Sequence, residues 1–302
     1  MEWFKEYKRY LKEEKKFLKR ARKKKFEFDF GVLFAIVLIF LNLIVWVRFL
    51  SKKNFTKLNK KNSIIIDFLD IRGDSVIMMA KDKVILINGG FSLDILDVLK
   101  ERKINKIDYI FLTYPSKRNI GGILHILYRD FPVGLILSRE FKYGSIHYKR
   151  FLQLIESKNF PYRNLKKGEV INIFDDLLIQ VLGPLREYED EWENSLVLRV
   201  VYKDFAVLLS GDIKRNALDD IVEYGKELRS QILKLPSQGE VITPSFVDMV
   251  SPEIAIIVAD AGGVNDEVVG FLKDWGIKVL RTDLGWGYRI ITDGRNYKIE
   301  RL

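Results

Sequence analysis

Between Phe30 and Val47 the chain reads FGVLFAIVLIFLNLIVWV, 18 residues with no charged side chain and one strongly polar one, Asn42. About 18–20 apolar residues in a helix match the hydrocarbon thickness of a bilayer. The alternative, a helix buried in a water-soluble core, is hard to reconcile with the lysines and arginines crowded on both flanks. A transmembrane helix is therefore expected over residues 30–50. A cleaved signal peptide does not fit, because the charged stretch before the run is too long and no small-residue cleavage site follows it. Twelve Lys/Arg precede the run and six follow it before residue 62. The positive-inside bias then predicts a single-pass protein of the cell membrane, with a cytoplasmic N-terminus and an extracytoplasmic C-terminal domain.

Charge divides along the same line. The net charge is +10, but residues 1–62 hold 18 Lys/Arg against 6 Asp/Glu, leaving 33 against 35 for residues 63–302. Basicity is thus a property of the N-terminal arm and not a nucleic-acid footprint of the remainder. Residues 1–29 place Trp3, Tyr7, Tyr10, Phe17, Leu18 and Ala21 near one helical face among lysines. A basic amphipathic segment on an anionic membrane surface and a plainly solvated charged helix are the two main readings, with a nucleic-acid arm as a third. Membrane lipid is the expected partner of residues 1–50. Residues 51–62 are polar and basic, as in a linker.

From residue 63 to 302 short apolar, β-rich runs alternate with helical patterns. Strands are predicted at 63–69, 74–79, 83–88, 107–113, 133–137, 176–182, 195–202, 205–210, 231–235, 254–259, 277–281 and 287–292. Helices are predicted at 92–103, 120–130, 145–158, 214–229, 244–250 and 265–275. The early strands are joined by turns as short as Ala80-Lys81-Asp82-Lys83 and must pair antiparallel. Later strands alternate with helices, which favours parallel pairing. An α/β domain of two sheets packed face to face, with helices outside, needs about this length.

Seven strings then fall in a familiar order. They are IDFLDIRGDS (66–75), ILINGG (85–90), FLTYP through IGG (111–122), NSLVLR (194–199), LSGDI (209–213), LKLPSQG (233–239) and RTD (281–283). They resemble FLDVGQGDS, ILIDGG, LTHPDADHIGG, NSLVLR, LTGD, LKVPHHG and YRTD of the metallo-β-lactamase domain in ComEC-type competence proteins. The resemblance implies a four-layer αββα sandwich from about residue 64 to the C-terminus, with a binuclear zinc site on loops at one edge.

The same resemblance implies that the site is degenerate. The family's ligand loop aligns with Tyr114, Ser116, Arg118 and Asn119 in place of histidine, aspartate, aspartate and histidine, with Lys117 between. The later histidine pair aligns with Ser237 and Gln238. Only the bridging aspartate is kept, as Asp212, and the acid of ILIDGG has become Asn88. Zinc hydrolysis needs imidazole and carboxylate donors to bind metal and lower the pKa of a bound water. A single carboxylate beside Lys117 and Arg118 should repel divalent ions, so no catalytic residue, metal or cofactor is expected. Asp212 also suits a plainer role, as cap of the helix expected over 214–229. The glycine pairs 89–90 and 121–122 suit tight turns and helix starts.

Other chemistry finds little support. The chain has no cysteine and two histidines, His125 and His147, which excludes thiol and disulfide chemistry and leaves few general bases. GxxxxGK[ST] and HExxH are absent, and no serine elbow accompanies either histidine. The acidic run Glu187 to Glu193 lacks the glycine-centred spacing of a calcium loop. The reading is a membrane-anchored pseudo-enzyme, a binding or scaffold module for an unknown protein partner in DNA uptake or the envelope. The alternatives are a metal-dependent phosphodiesterase or nuclease with a non-standard site, and a binder of anions or single-stranded DNA through Lys117 and Arg118.

Overall fold

The structure is a computed structural model that describes residues 9, 12–16, 19, 62–142 and 145–302. The expected span over 30–50, the linker up to residue 61 and most of the basic arm lie outside the described residues. Among the described residues no helix is long and apolar enough to cross a membrane. The chain divides into two compact units, Met1–Phe55 and Thr56–Leu302. In the first, residues 9, 12–16 and 19 are helical and exposed.

The second unit is built from two similar halves. The first runs β1 (Ile64–Phe68), β2 (Val76–Ala80), β3 (Lys83–Ile87), α1 (Asp94–Glu101), β4 (Ile107–Phe111), α2 (Lys117–Tyr128), β5 (Val133–Ser138), α3 (Ile146–Ser157) and β6 (Tyr162–Asn164). The second runs β7 (Val170–Phe174), β8 (Leu177–Gly183), β9 (Val197–Tyr202), β10 (Phe205–Leu209), α4 (Arg215–Ile221), β11 (Ile232–Lys234), α5 (Pro244–Val250), β12 (Ile254–Ile257), α6 (Asp266–Asp274) and β13 (Lys278–Arg281). Two last strands, β14 (Tyr288–Thr292) and β15 (Tyr297–Arg301), return to the first sheet, where β14 pairs antiparallel with β1. Sheet order is β15-β14-β1-β2-β3-β4-β5-β6 in one sheet and β13-β12-β11-β10-β9-β8-β7 in the other. Each half opens with antiparallel pairs and turns parallel once helices make the crossovers, and for the first half the short turns predict this.

Period-two alternation sorts side chains into separate cores. In β2, Val76, Met78 and Ala80 enter the core between the sheets, while Ile77 faces outward with α1 and α2 residues such as Ile95 and Ile123. In β12, Ile254 and Ile256 enter the same central core, while Ala255 and Ile257 pack with Phe246 of α5 and Leu272 of α6. Central strands are apolar on both faces because both faces are covered. The result is the expected mixed α/β two-sheet sandwich. Three strands escaped the sequence pattern: β6, β7 and β15. All are edge strands, and β15 carries Lys298, Glu300 and Arg301. One-sided burial shortens the apolar signal at an edge, where charge also discourages further pairing.

The C-terminal ends of β1, β3, β4, β10, β11 and β12 deliver their loops to one edge. Backbone hydrogen bonds lace the first-half loops together: Asp74 N to Arg118 O at 3.0 Å, Gly89 N to Asn119 O at 2.7 Å, Gly90 N to Asp74 O at 2.9 Å and Gly122 N to Gly90 O at 3.0 Å. Gly121 and Gly122 lie inside α2, not at its start, because that helix begins at Lys117. They are small for contact reasons: a Cβ on Gly122 would overlap the Gly89 carbonyl, and one on Gly121 the Phe91 carbonyl. Gly122→Ala is expected to destabilise the protein by about 1–3 kcal/mol in urea unfolding. Gly270→Ala, on open space in α6, should instead stabilise it by about 0.5–1 kcal/mol.

Candidate functional site

Strand β11 reads Ile-Leu-Lys and is buried throughout. A lysine in such a strand must meet an anion, because an unpaired buried ammonium costs several kcal/mol. Lys234 Nζ lies 2.9 Å from Oδ2 of Asp74, in the β1–β2 loop of the other half. Asn88 Nδ2 donates to the same oxygen at 3.0 Å and to Thr113 Oγ1 at 2.9 Å. Thr113 N returns a bond to Asn88 Oδ1 at 2.9 Å. An aspartate at 88 could not donate, and it would add a carboxylate beside Asp74. Asn88 has φ +56°, a region asparagine tolerates better than most residues.

Asp212 faces this group from the second half. Gly211 at φ +60° turns the chain so that Asp212 N donates to Ser195 Oγ at 3.0 Å and Asp212 O accepts from Ser237 Oγ at 2.9 Å. Its carboxylate accepts from Asn119 Nδ2 at 2.6 Å. Burial pushes the Asp212 carboxyl well above the usual carboxylate range, and the neighbouring Asp74 adds to this. Lys234, the Asn119 bond and Arg118 oppose it. Two buried carboxylates thus lie near Lys234, which pairs directly with Asp74 and acts on Asp212 through its charge, where the sequence suggested a single anion.

The remaining candidates scatter around this seam. Arg118 pairs with Asp260, at the end of β12, whose other oxygen accepts from Gly73 N at 3.0 Å. Lys117 does not enter the cleft: it is exposed, with Nζ 4.2 Å from the Phe91 ring centroid, and Arg72 sits 4.1 Å from the same ring. The expected cationic pair is therefore split, one member neutralised by Asp260 and the other outside. Tyr114 is buried between Trp192, at 4.6 Å, and Phe141, at 5.6 Å. Burial, with help from Glu191, Asp212 and Asp190, pushes its hydroxyl up to about 12. Ser237 and Gln238 form a left-handed turn, at φ +43° and +62°. Ser116 precedes α2 as an extended residue without a side-chain cap bond.

The capping role expected of Asp212 is not observed. Helix α4 starts at Arg215 after Lys214, which makes no side-chain cap bond. Glu193 does this work instead, accepting from Asn216 N at 2.7 Å and Asn216 Nδ2 at 2.9 Å. The turn at Gly211 aims Asp212 into the cleft, away from the helix start.

Asp74, Lys234 and Asp260 were not singled out from sequence. Lys234 had a readable signal, a lysine between Leu233 and Leu235 in a wholly apolar strand. Asp260 had none, since its partner is distant in the chain.

The residues present do not fit two zinc ions. Among the described residues no three His, Cys, Asp or Glu converge to hold a metal. Asp74 and Asp212 already accept from Lys234, Asn88 and Asn119, and the positive charge of Arg118 acts on Asp212 as well. Asp74 Oδ1, Asn119 Oδ1, Ser116 Oγ and Arg118 Nη2 are buried without a protein partner. Such a mixture of acceptors and donors suits ordered water and not a bare cation.

The two-sheet sandwich with this edge has the metallo-β-lactamase fold. In sequence the chain is 24% identical over 247 residues to ComE operon protein 3 of Bacillus subtilis (strain 168), a match covering 72% of this chain and 32% of that protein. The chain therefore spans about a third of that relative's length. No protein-family model matches. Among solved structures, the metallo-β-lactamase fold protein YhfI of Bacillus subtilis superposes with a TM-score of 0.54 at 10% identity, covering 75% of this chain and 99% of that one. Tm1679, a metal-dependent hydrolase of the β-lactamase superfamily, gives 0.53 at 15% identity, covering 74% and 97%. At these identities the likeness establishes the fold.

Lys234→Met is expected to cost about 3–5 kcal/mol at neutral pH, because it strands the buried Asp74 carboxylate. Adding Asp74→Leu should recover part of that loss in urea unfolding. Asp212→Asn should act in the opposite direction. The folded state binds the Asp212 proton more tightly than the unfolded chain does. This contribution is complete below the ordinary carboxylate range and is lost as pH rises through the raised folded value. The amide removes the charge and can still accept from Asn119. Its melting temperature should exceed that of the wild type at about pH 7–8 and match it in acid; a lower one at neutral pH would contradict this account.

Proposed function

We propose that this is a single-pass membrane protein, anchored through residues 1–50, whose extracytoplasmic metallo-β-lactamase-like domain is non-catalytic. It serves as a binding or scaffold module for a protein partner, in DNA uptake or another envelope process. The observation that carries the reading is the direct Asn119–Asp212 bond at 2.6 Å, beside the Asp74–Lys234 pair. Side chains here make to one another the links that a binuclear hydrolase would make to its metals. The ComE operon relative supports the setting in DNA uptake, and the apolar run 30–47 with its unequal basic flanks supports the anchor and its direction.

Metal content separates this reading from a hydrolase. The full chain, purified in a mild detergent, is incubated with zinc or manganese, desalted and analysed for bound metal. The expected result is far less than one ion per chain, unchanged by Asp212→Ala. Stoichiometric metal that disappears in Asp212→Ala, together with cleavage of a phosphodiester, would establish the hydrolase instead. The absence of cysteine makes the topology test clean. A single exposed Ser157→Cys should react with a membrane-impermeant maleimide in intact cells, and Lys5→Cys only after lysis; the reverse pattern would overturn the orientation.

A further inference from the structure

Six described arginines are half-buried: Arg102, Arg118, Arg139, Arg199, Arg281 and Arg289. Five meet a carboxylate. Arg102 and Arg289 share Asp67, Arg118 takes Asp260, Arg139 takes Glu187 and Arg281 takes Asp283. Arg199 is the exception. Its guanidinium donates to Arg229 O through Nε at 3.2 Å and Nη2 at 2.7 Å, to Ser230 Oγ at 3.3 Å and to Gln180 Oε1 at 3.0 Å. All of these acceptors are neutral. Burial holds its pKa below the usual guanidinium range, and Glu227, beyond ion-pair reach, offsets this only in part. A desolvated cation without a counter-ion is costly.

Arg199 lines a cleft of about 410 Å³ at the β9–β10 hairpin. By gripping the Arg229 carbonyl it also fixes the backbone that carries a second cation. Arg229 lines the same cleft, is exposed and has no carboxylate within ion-pair distance among the described residues. The two carboxylates on the rim are engaged: Asp204 with Arg295 at 3.5 Å, and Glu253 with the Tyr297 hydroxyl at 2.7 Å. We propose that Arg199 and Arg229 form a binding site for the oxyanion of a phosphate ester, distinct from the old metal cleft. Arg199 offers two N–H groups beyond those already used, and guanidinium forks match phosphate geometry.

The position favours one source. Tyr202, one residue before the hairpin turn, donates its hydroxyl to Asn62 O at 2.6 Å. The cleft therefore lies at the end of the sandwich where the chain enters β1, while the Asp74–Lys234 seam lies at the opposite end. With a membrane-anchored chain, that source is the headgroup of an anionic lipid. Only the lipid source rests on the anchored reading; the phosphate site does not.

The test uses the full chain throughout. In neutral detergent, millimolar inorganic phosphate should raise the melting temperature by about 2–4 °C over chloride at matched ionic strength. Arg229→Gln should abolish that rise while leaving the melting temperature in chloride unchanged. Arg199→Gln risks the fold, because Arg199 holds the Arg229 carbonyl, so Arg199→Lys serves as the second variant and should weaken the response. No phosphate effect, or an equal effect in Arg229→Gln, overturns the site. For the source, hydrogen exchange at the β9–β10 hairpin and residues 229–231 is compared in nanodiscs of phosphatidylcholine with and without phosphatidylglycerol. Protection by phosphatidylglycerol, lost in Arg229→Gln, supports the lipid source. A phosphate effect without that protection overturns the lipid source and assigns the site to a soluble phosphate ester. A chain that stays out of the membrane fraction of cells sinks the anchored reading and leaves the detergent result standing.

Discussion

Lys234 puts a positive charge at the end of a buried parallel strand, and the architecture at that edge is arranged to answer it. Its counter-ion, Asp74, lies 160 positions earlier and in the other half of the sandwich, 2.9 Å away. Such a pair is a specific constraint more than a source of net stability, because desolvation consumes most of the attraction. Its effect is to fix how the two sheets meet. Once the loops after β1 and β11 are held together, Asn88 and Thr113 fall into place behind Asp74. Asp212 is then pressed against Asn119. The laced glycine turns beneath them supply the rigidity that such short polar contacts require.

The edge that carries Asp74 and Asp212 is therefore not an open socket. Arg118 reaches across to Asp260, Asn119 to Asp212, and Leu196 N to Thr113 O at 2.9 Å, so the halves are tied directly. The aromatic stack of Tyr114 on Trp192 covers one side. Asp212 is a hydrogen-bond acceptor for Asn119 whose charge is a burden to the folded state, relieved by Lys234 and Arg118. Away from that edge, the half-buried Arg199 donates to neutral acceptors and has no carboxylate partner among the described residues.

Much of the fold was legible from residue order. Turn length separated the antiparallel β1–β3 stretch from the parallel crossovers, and apolar runs located the twelve expected strands. The edges β6, β7 and β15 were not legible, because half-exposed strands dilute the pattern with charge. For the site, the changes at Tyr114, Ser116, Arg118, Asn119, Ser237 and Gln238 could be read against the resembling family. Their directions could not. Lys117 and Arg118 are adjacent in sequence, yet the first turn of α2 sends one over Phe91 and the other to Asp260. Asp212 looked equally suited to cap a helix, and only the turn at Gly211 decides against it.

By itself the sequence determined which side chains this protein has to offer at the edge of the sandwich, and where its apolar, basic and mixed α/β regions lie. Composition and local period are properties of the chain, independent of how it folds. The tertiary structure alone decided the electrostatics: which of the many carboxylates neutralises each buried cation, and which cation is left without one. Those pairings join residues tens to hundreds of positions apart, and charge energies follow distance and burial, neither of which exists until the two sheets have packed.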